Sequence, residues 1–127
     1  MSDFKEPTTS LEEQLRIVST YDESDDGAAL AKAIDYAGIA LRFLEVFGFP
    51  RPFVYPFDAT VVAEWPGEWD VSLHIDGAGE LWAHALRGEE VREQTFVGEG
   101  VLPALCDFMQ PVLTFKPIAN RFGEVLR

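Results

Sequence analysis

Residues 69–87 read WDVSLHIDGAGELWAHALR, and the way this stretch pairs with itself decides the fold. Trp69, Val71, Leu73 and Ile75 alternate with Asp70, Ser72, His74 and Asp76, the period-two pattern of a strand with one apolar face. Asp76-Gly77-Ala78-Gly79 is a turn, and Gly79 suits the left-handed position that closes a three-residue hairpin loop. Such a loop pairs Ile75 with Leu81, Leu73 with Ala83 and Val71 with Ala85 on the buried side. The other side then carries Asp70, Ser72, His74 and Asp76 beside Glu80, Trp82, His84 and Leu86. A four-residue loop would slip the register by one and send Trp82 and His84 to the opposite face. The first register separates apolar from polar residues better and is preferred.

Working outward, residues 59–65 form a strand that stops at the Pro66-Gly67 turn. Residues 80–87 are the third strand, Gly88 turns the chain, and residues 90–97 are a fourth. Pro50, Pro52 and Pro56 keep the stretch before the first strand extended and stiff, with Phe49, Phe53, Val54, Tyr55 and Phe57 across the core edge. Ser10 and Glu13 make a capping-box start for a helix over 11–20, with Leu11, Leu15 and Val18 on its apolar side. Asp25 or Asp26 caps a longer helix whose Leu30, Ala33, Ile34, Ala37, Leu41, Leu44 and Phe47 recur at spacings of three and four, up to Gly48. Small residues at Ala33, Ala37, Gly38 and Ala40 let it approach a neighbour closely. Leu102, Leu105, Phe108 and Met109 mark a last helix, with Pro103 in its first turn and Pro111 ending it. Residues after 112 show no clear pattern. The expectation is a single α+β domain over 1–127, with 1–10 flexible. An antiparallel β-meander of about four strands is packed on one face by about three helices, in the order α-α-β-β-β-β-α.

The segment from Asp58 to Ala85 resembles small bacterial proteins, many of them uncharacterised. They carry an aspartate-led strand ending in Glu-Trp and then a hairpin with an Asp-Gly turn. The residues that carry the resemblance are DATVVAEW over 58–65, Trp69-Asp70-Val71, and HIDGAGELWAH over 74–84. The double glycine usual after the aspartate is replaced here by Ala59-Thr60. The resemblance covers about a fifth of the chain, supports the hairpin fold, and implies no activity.

The formal charge is −12 on 127 residues, and it is unevenly placed. Residues 58–99 hold ten carboxylates against Arg87 and Arg92, a local net of −8. Residues 1–26 hold eight against Lys5 and Arg16, a local net of −6, with Asp22-Glu23-Ser24-Asp25-Asp26 reading as a loop. The segments 27–57 and 100–127 each come out at +1. This balance opposes nucleic acid, whose phosphates want Lys and Arg, and opposes anionic membrane surfaces. Apolar content of 47 % and sixteen aromatic residues argue for a packed core despite the charge. No stretch is apolar enough to cross a membrane, because Lys32, Asp35, Arg42 and Glu45 interrupt the best one. Asp3 and Glu6 and the lack of an apolar run argue against a signal peptide. One cysteine excludes an internal disulfide and a multi-cysteine zinc site, and fits a reducing cytoplasm.

No nucleophile elbow, phosphate-binding loop or dinucleotide fingerprint is present, and Gly77-x-Gly79 lies inside a hairpin. Cys106, between Leu105 and Phe108, reads as an inert buried thiol rather than a nucleophile. His74 and His84, near Asp70, Asp76 and Glu80, are the residues that would hold a divalent metal or shuttle a proton. The alternative for them is a solvated polar face. Glu64, Glu68, Asp70, Asp76, Glu80, Glu89, Glu90 and Glu93 would repel one another on a small sheet, and a cationic partner would relieve that. Trp82 among them would serve as an anchor, unless the residues after 112 fold over it. The leading expectation is a non-catalytic acidic protein, without cofactor, docking on a basic protein surface. An inhibitor, an immunity protein or antitoxin, or a phage anti-defence factor blocking a nucleic-acid-handling protein fits that description. The second is a small metal-binding protein or metal-assisted enzyme using His74 and His84. The third is a structural subunit that self-associates, as a homodimer, through the open sheet face.

Overall fold

A computed structural model describes residues 6–21 and 27–113. The loop over 22–26, with the expected helix cap at Asp25 or Asp26, lies outside the described residues. So does the chain from 114 on, and with it the expected cover over Trp82. Among the described residues three helices and five strands follow the order α1 (Leu11–Val18), α2 (Gly27–Val46), β1 (Phe53–Phe57), β2 (Thr60–Trp65), β3 (Asp70–Ile75), β4 (Leu81–Arg87), β5 (Glu90–Phe96), α3 (Val101–Met109). All strands pair antiparallel with their sequence neighbours, giving the sheet order β1-β2-β3-β4-β5. The α+β meander is as expected, with one strand more.

The extra strand is β1. Prolines argue against a central strand, but β1 is an edge, where a missing donor costs no ladder bond. The Val54 N–H points away from β2, toward Gln14, and by alternation the missing N–H of Pro56 falls on that same outer side. Phe53, Tyr55 and Phe57 therefore do not lie across the core edge. They are exposed and stand opposite Glu64, Val62 and Thr60.

The hairpin between β3 and β4 has the register read from its sequence: Ile75 faces Leu81, Leu73 faces Ala83 and Val71 faces Ala85. Asp76 N–H donates to the Glu80 carbonyl at 3.1 Å, which leaves Gly77-Ala78-Gly79 as the loop. Gly79 sits at φ +87°, and the Asp76 side chain accepts from the N–H groups of Ala78 and Glu80, each at 2.9 Å. Gly77 is needed for a different reason. A Cβ there would meet the Ala29 carbonyl oxygen of α2 at 2.6 Å.

One face of the sheet is the core. Val61, Ala63, Trp65, Val71, Leu73, Ile75, Leu81, Ala83, Ala85 and Phe96 are all buried there with Ala33, Ala37, Leu41 and Leu44 of α2 and Leu105, Phe108 and Met109 of α3. Alanines on both sides, in α2 and in β4, let the helix layer sit close. Trp65 donates its indole N–H to the Pro50 carbonyl at 2.7 Å. α1 starts as expected, with the Ser10 hydroxyl accepting from Glu13 N–H at 3.1 Å.

α1 also closes the β1 edge. The buried Gln14 amide accepts from Val54 N–H at 2.9 Å and donates to the Pro52 carbonyl at 3.1 Å and the Thr9 carbonyl at 3.2 Å. A side-chain amide thus stands in for the next strand. Within the stretch expected to be flexible, Glu6 and Pro7 are tied to Arg51: its backbone N–H donates to the Glu6 carboxylate at 2.7 Å and its guanidinium to the Pro7 carbonyl at 3.1 Å. Residues 1–5 lie outside the described residues.

Candidate functional site

The side chains that alternate away from the core form the open face of the sheet. Two cross-strand rows dominate it. Phe53, Glu64, Ser72, His84 and Glu93 lie in one row, and Tyr55, Val62, His74, Trp82 and Thr95 in the next. Asp70, Leu86 and Val91 continue it at one end. Trp82 is half-buried and touches both imidazoles. Its ring centroid is 4.9 Å from His74, tilted, and 5.3 Å from His84, stacked. Five exposed apolar side chains surround this group: Phe53, Tyr55, Phe57, Leu86 and Val91. Val62 beneath them is only 1 % exposed, so the face has a small packed floor of its own.

Two ionisable groups on this face are shifted. The Tyr55 hydroxyl is pushed up to about 12, first by hydrogen bonding to the Glu64 carboxylate, then by partial burial and by that carboxylate's charge. His74 is held below its ordinary value by burial, against the pull of the Glu64 charge and with a further push from His84. The Glu64 charge acts on both groups, raising Tyr55 and opposing the downward shift of His74.

The nine residues expected to bind a partner do not share one face. Glu64, Asp70, Trp82 and Glu93 lie on the open face. Asp76 and Glu80 sit at the β3–β4 turn, where one Asp76 oxygen is spent on the loop. Glu68 and Glu90 are at the opposite end and are held by Arg87, at 3.5 and 2.9 Å, while the Arg87 guanidinium lies 4.5 Å from the Trp69 ring centre. Glu89 is exposed at the β4–β5 hairpin. Carboxylates next to one another in the sequence alternate between faces or project from turns, so a charge count along the chain does not locate them. The sequence reading placed Phe53, Tyr55 and Phe57 across the core edge rather than on the open face. Their period-two alternation with Val54 and Pro56 was the available signal, outweighed by the prolines.

His74 and His84 share a face, as the hairpin register requires, on diagonal positions of β3 and β4. Among the described residues no group of three His, Cys, Asp or Glu side chains is placed to hold a metal ion. Cys106 is buried and unpaired, and its thiol is pushed up by burial first and by the Asp107 charge second, away from the thiolate that a nucleophile needs. An open cleft of about 430 Å³ runs between residues 7–9, α1 and β1, over Gln14, Ile17 and Phe53, and is lined by no acid or base. Among the described residues no helix is long and apolar enough to cross a membrane. No protein-family model matches the chain, and neither a curated protein nor a solved structure matches it.

Proposed function

We propose that this chain is a non-catalytic binding protein that docks the open face of its sheet on a basic protein surface. The observation that carries the reading is the composition of that face. An indole in contact with two imidazoles is surrounded by exposed aromatic and aliphatic side chains and flanked by Glu64, Asp70 and Glu93. Half-buried aromatic anchors inside a polar, charged surround are the usual make-up of a protein-binding surface. The sign of the charge names the kind of partner, and a protein that handles nucleic acid carries such a basic surface. The roles this suits are inhibitor, immunity protein or antitoxin, and phage anti-defence factor. A reducing cytoplasm suits the single free thiol.

The test uses the immobilised chain and a Glu64→Lys/Glu93→Lys variant, both checked by thermal melting, against source-cell lysate at low and high salt. A basic protein retained at low salt, released at high salt and not retained by the variant supports docking through this face. Retention that ignores both salt and charge reversal overturns it. A salt-independent dimer in light scattering would assign the face to self-association instead.

A further inference from the structure

Among the described residues two arginines rest on aromatic rings. The Arg87 guanidinium lies 4.5 Å from the Trp69 ring centre, and that of Arg92 lies 5.3 Å from the Phe108 ring centre. The first is a complete constellation. An indole face receives a planar cation, and two carboxylates, Glu68 and Glu90, hold the guanidinium from its edge. It lies at the margin of the covered face, with Trp69 and Arg87 following the alternation of Val71 and Ala85.

On the open face the same parts recur without the cation. Trp82 presents a partly exposed indole with the His84 imidazole stacked on it. Glu93 of β5 stands opposite His84 and diagonal to Trp82, within reach of a long side chain. Glu64 stands at the other end of the Glu64–Ser72–His84–Glu93 row. Among the described residues Glu93 has no ion pair, and no Lys or Arg lies on the open side of β2, β3, β4 or β5. The neighbouring rings are imidazoles, which stack with a guanidinium when neutral. We propose that Trp82, with His74 and His84 beside it and Glu93 at its edge, receives an arginine side chain of the docking partner. It would do for the partner what Trp69, Glu68 and Glu90 do for Arg87. The occupant is arginine rather than lysine because a planar guanidinium stacks on the ring and hydrogen-bonds to the carboxylate at once, whereas an ammonium is a compact, strongly hydrated charge.

This inference rests on the docking reading above, and its test separates the two. Hexa-arginine and hexa-lysine peptides carry equal charge, so a merely acidic surface binds them about equally. Titration calorimetry at low ionic strength should show hexa-arginine binding the intact chain about fivefold more tightly, the size of one cation–π contact. Trp82→Ala should weaken hexa-arginine more than hexa-lysine and so remove that preference. Glu93→Gln should weaken hexa-arginine more than hexa-lysine, and it keeps the test alive if the Trp82 variant does not fold. The Trp82 indole N–H resonance should shift with hexa-arginine and not with hexa-lysine. Equal affinities, or a preference that survives both substitutions, overturn the arginine site while leaving acidic docking standing. Binding of neither peptide overturns both.

Discussion

The two faces of this sheet are made by alternate residues of the same strands, and they are built on opposite principles. On the covered face β3 and β4 present Val71, Leu73, Ile75, Leu81, Ala83 and Ala85, each at most 4 % exposed. They are buried together with residues of α2 and α3, and the alanines of β4 and α2 let the layers sit close. On the open face the same strands present Ser72, His74, Trp82 and His84, which are half-buried, and Trp82 makes ring contacts with both histidines. β3 and β4 therefore serve stability with one set of residues, and the proposed docking would use the other. Substitutions on the two faces should consequently move different measurements.

The largest effect is expected where the covered face is deepest. Trp65 is 1 % exposed and also donates its indole N–H to the Pro50 carbonyl. Trp65→Ala should cost about 3–5 kcal/mol of folding stability. Trp82→Ala on the open face should cost about 1 kcal/mol or less, because that ring is partly exposed and lies outside the helix-covered core. Urea unfolding of both variants measures the gap. Equal losses would mean that the open face is part of the core, and the division between the faces would fail.

The edges of the sheet repeat the contrast. β1 is closed by Gln14, whereas residues 91–95 of β5 are all exposed. Gln14→Ala would leave the Val54 N–H and the Pro52 carbonyl without their partner in a part-buried position. The expected loss is about 1–3 kcal/mol. Amide exchange at Val54 should rise by more than the global loss of stability accounts for. A Val54 amide that exchanges no faster would show that α1 packing, not the amide, closes this edge.

The hairpin register was legible because it was fixed locally. A left-handed Gly79 and a strict two-residue alternation leave one pairing that buries Leu73 against Ala83. The β1 strand was not legible, because Pro56 is tolerated only on an edge, and being an edge is a property of the assembled sheet. Gln14 was invisible for a similar reason: its partners lie 38 and 40 residues away. Of the candidate site, the hairpin placed Trp82, His74 and His84 on one face correctly. It could not show that Arg87 already holds Glu68 and Glu90, since that requires two turns at the same end of the sheet. Nor could it show Glu64 beside Tyr55, which depends on β1.

The smallest predicted effect probes the open face through one proton. His74 is held below its ordinary value of 6.5, chiefly by burial against its neighbours; the Glu64 carboxylate opposes the shift and His84 adds to it. Because the folded-state value is the lower one, the unfolded chain takes up this proton first as pH falls. Stability tied to neutral His74 is therefore complete above about 6.5 and is lost as pH drops through the lower folded-state value. Urea midpoints between pH 8 and pH 5 should fall less steeply in His74→Gln than in the parent chain, whose carboxylates are otherwise identical. The His74 imidazole Cε1–H resonance should titrate with a midpoint below 6.5 in the parent, and Glu64→Gln should lower it further. A parent midpoint above 6.5 would mean that the Glu64 charge outweighs burial. The open face would then be wetter, and His74 more cationic near neutrality, than the proposed guanidinium site allows.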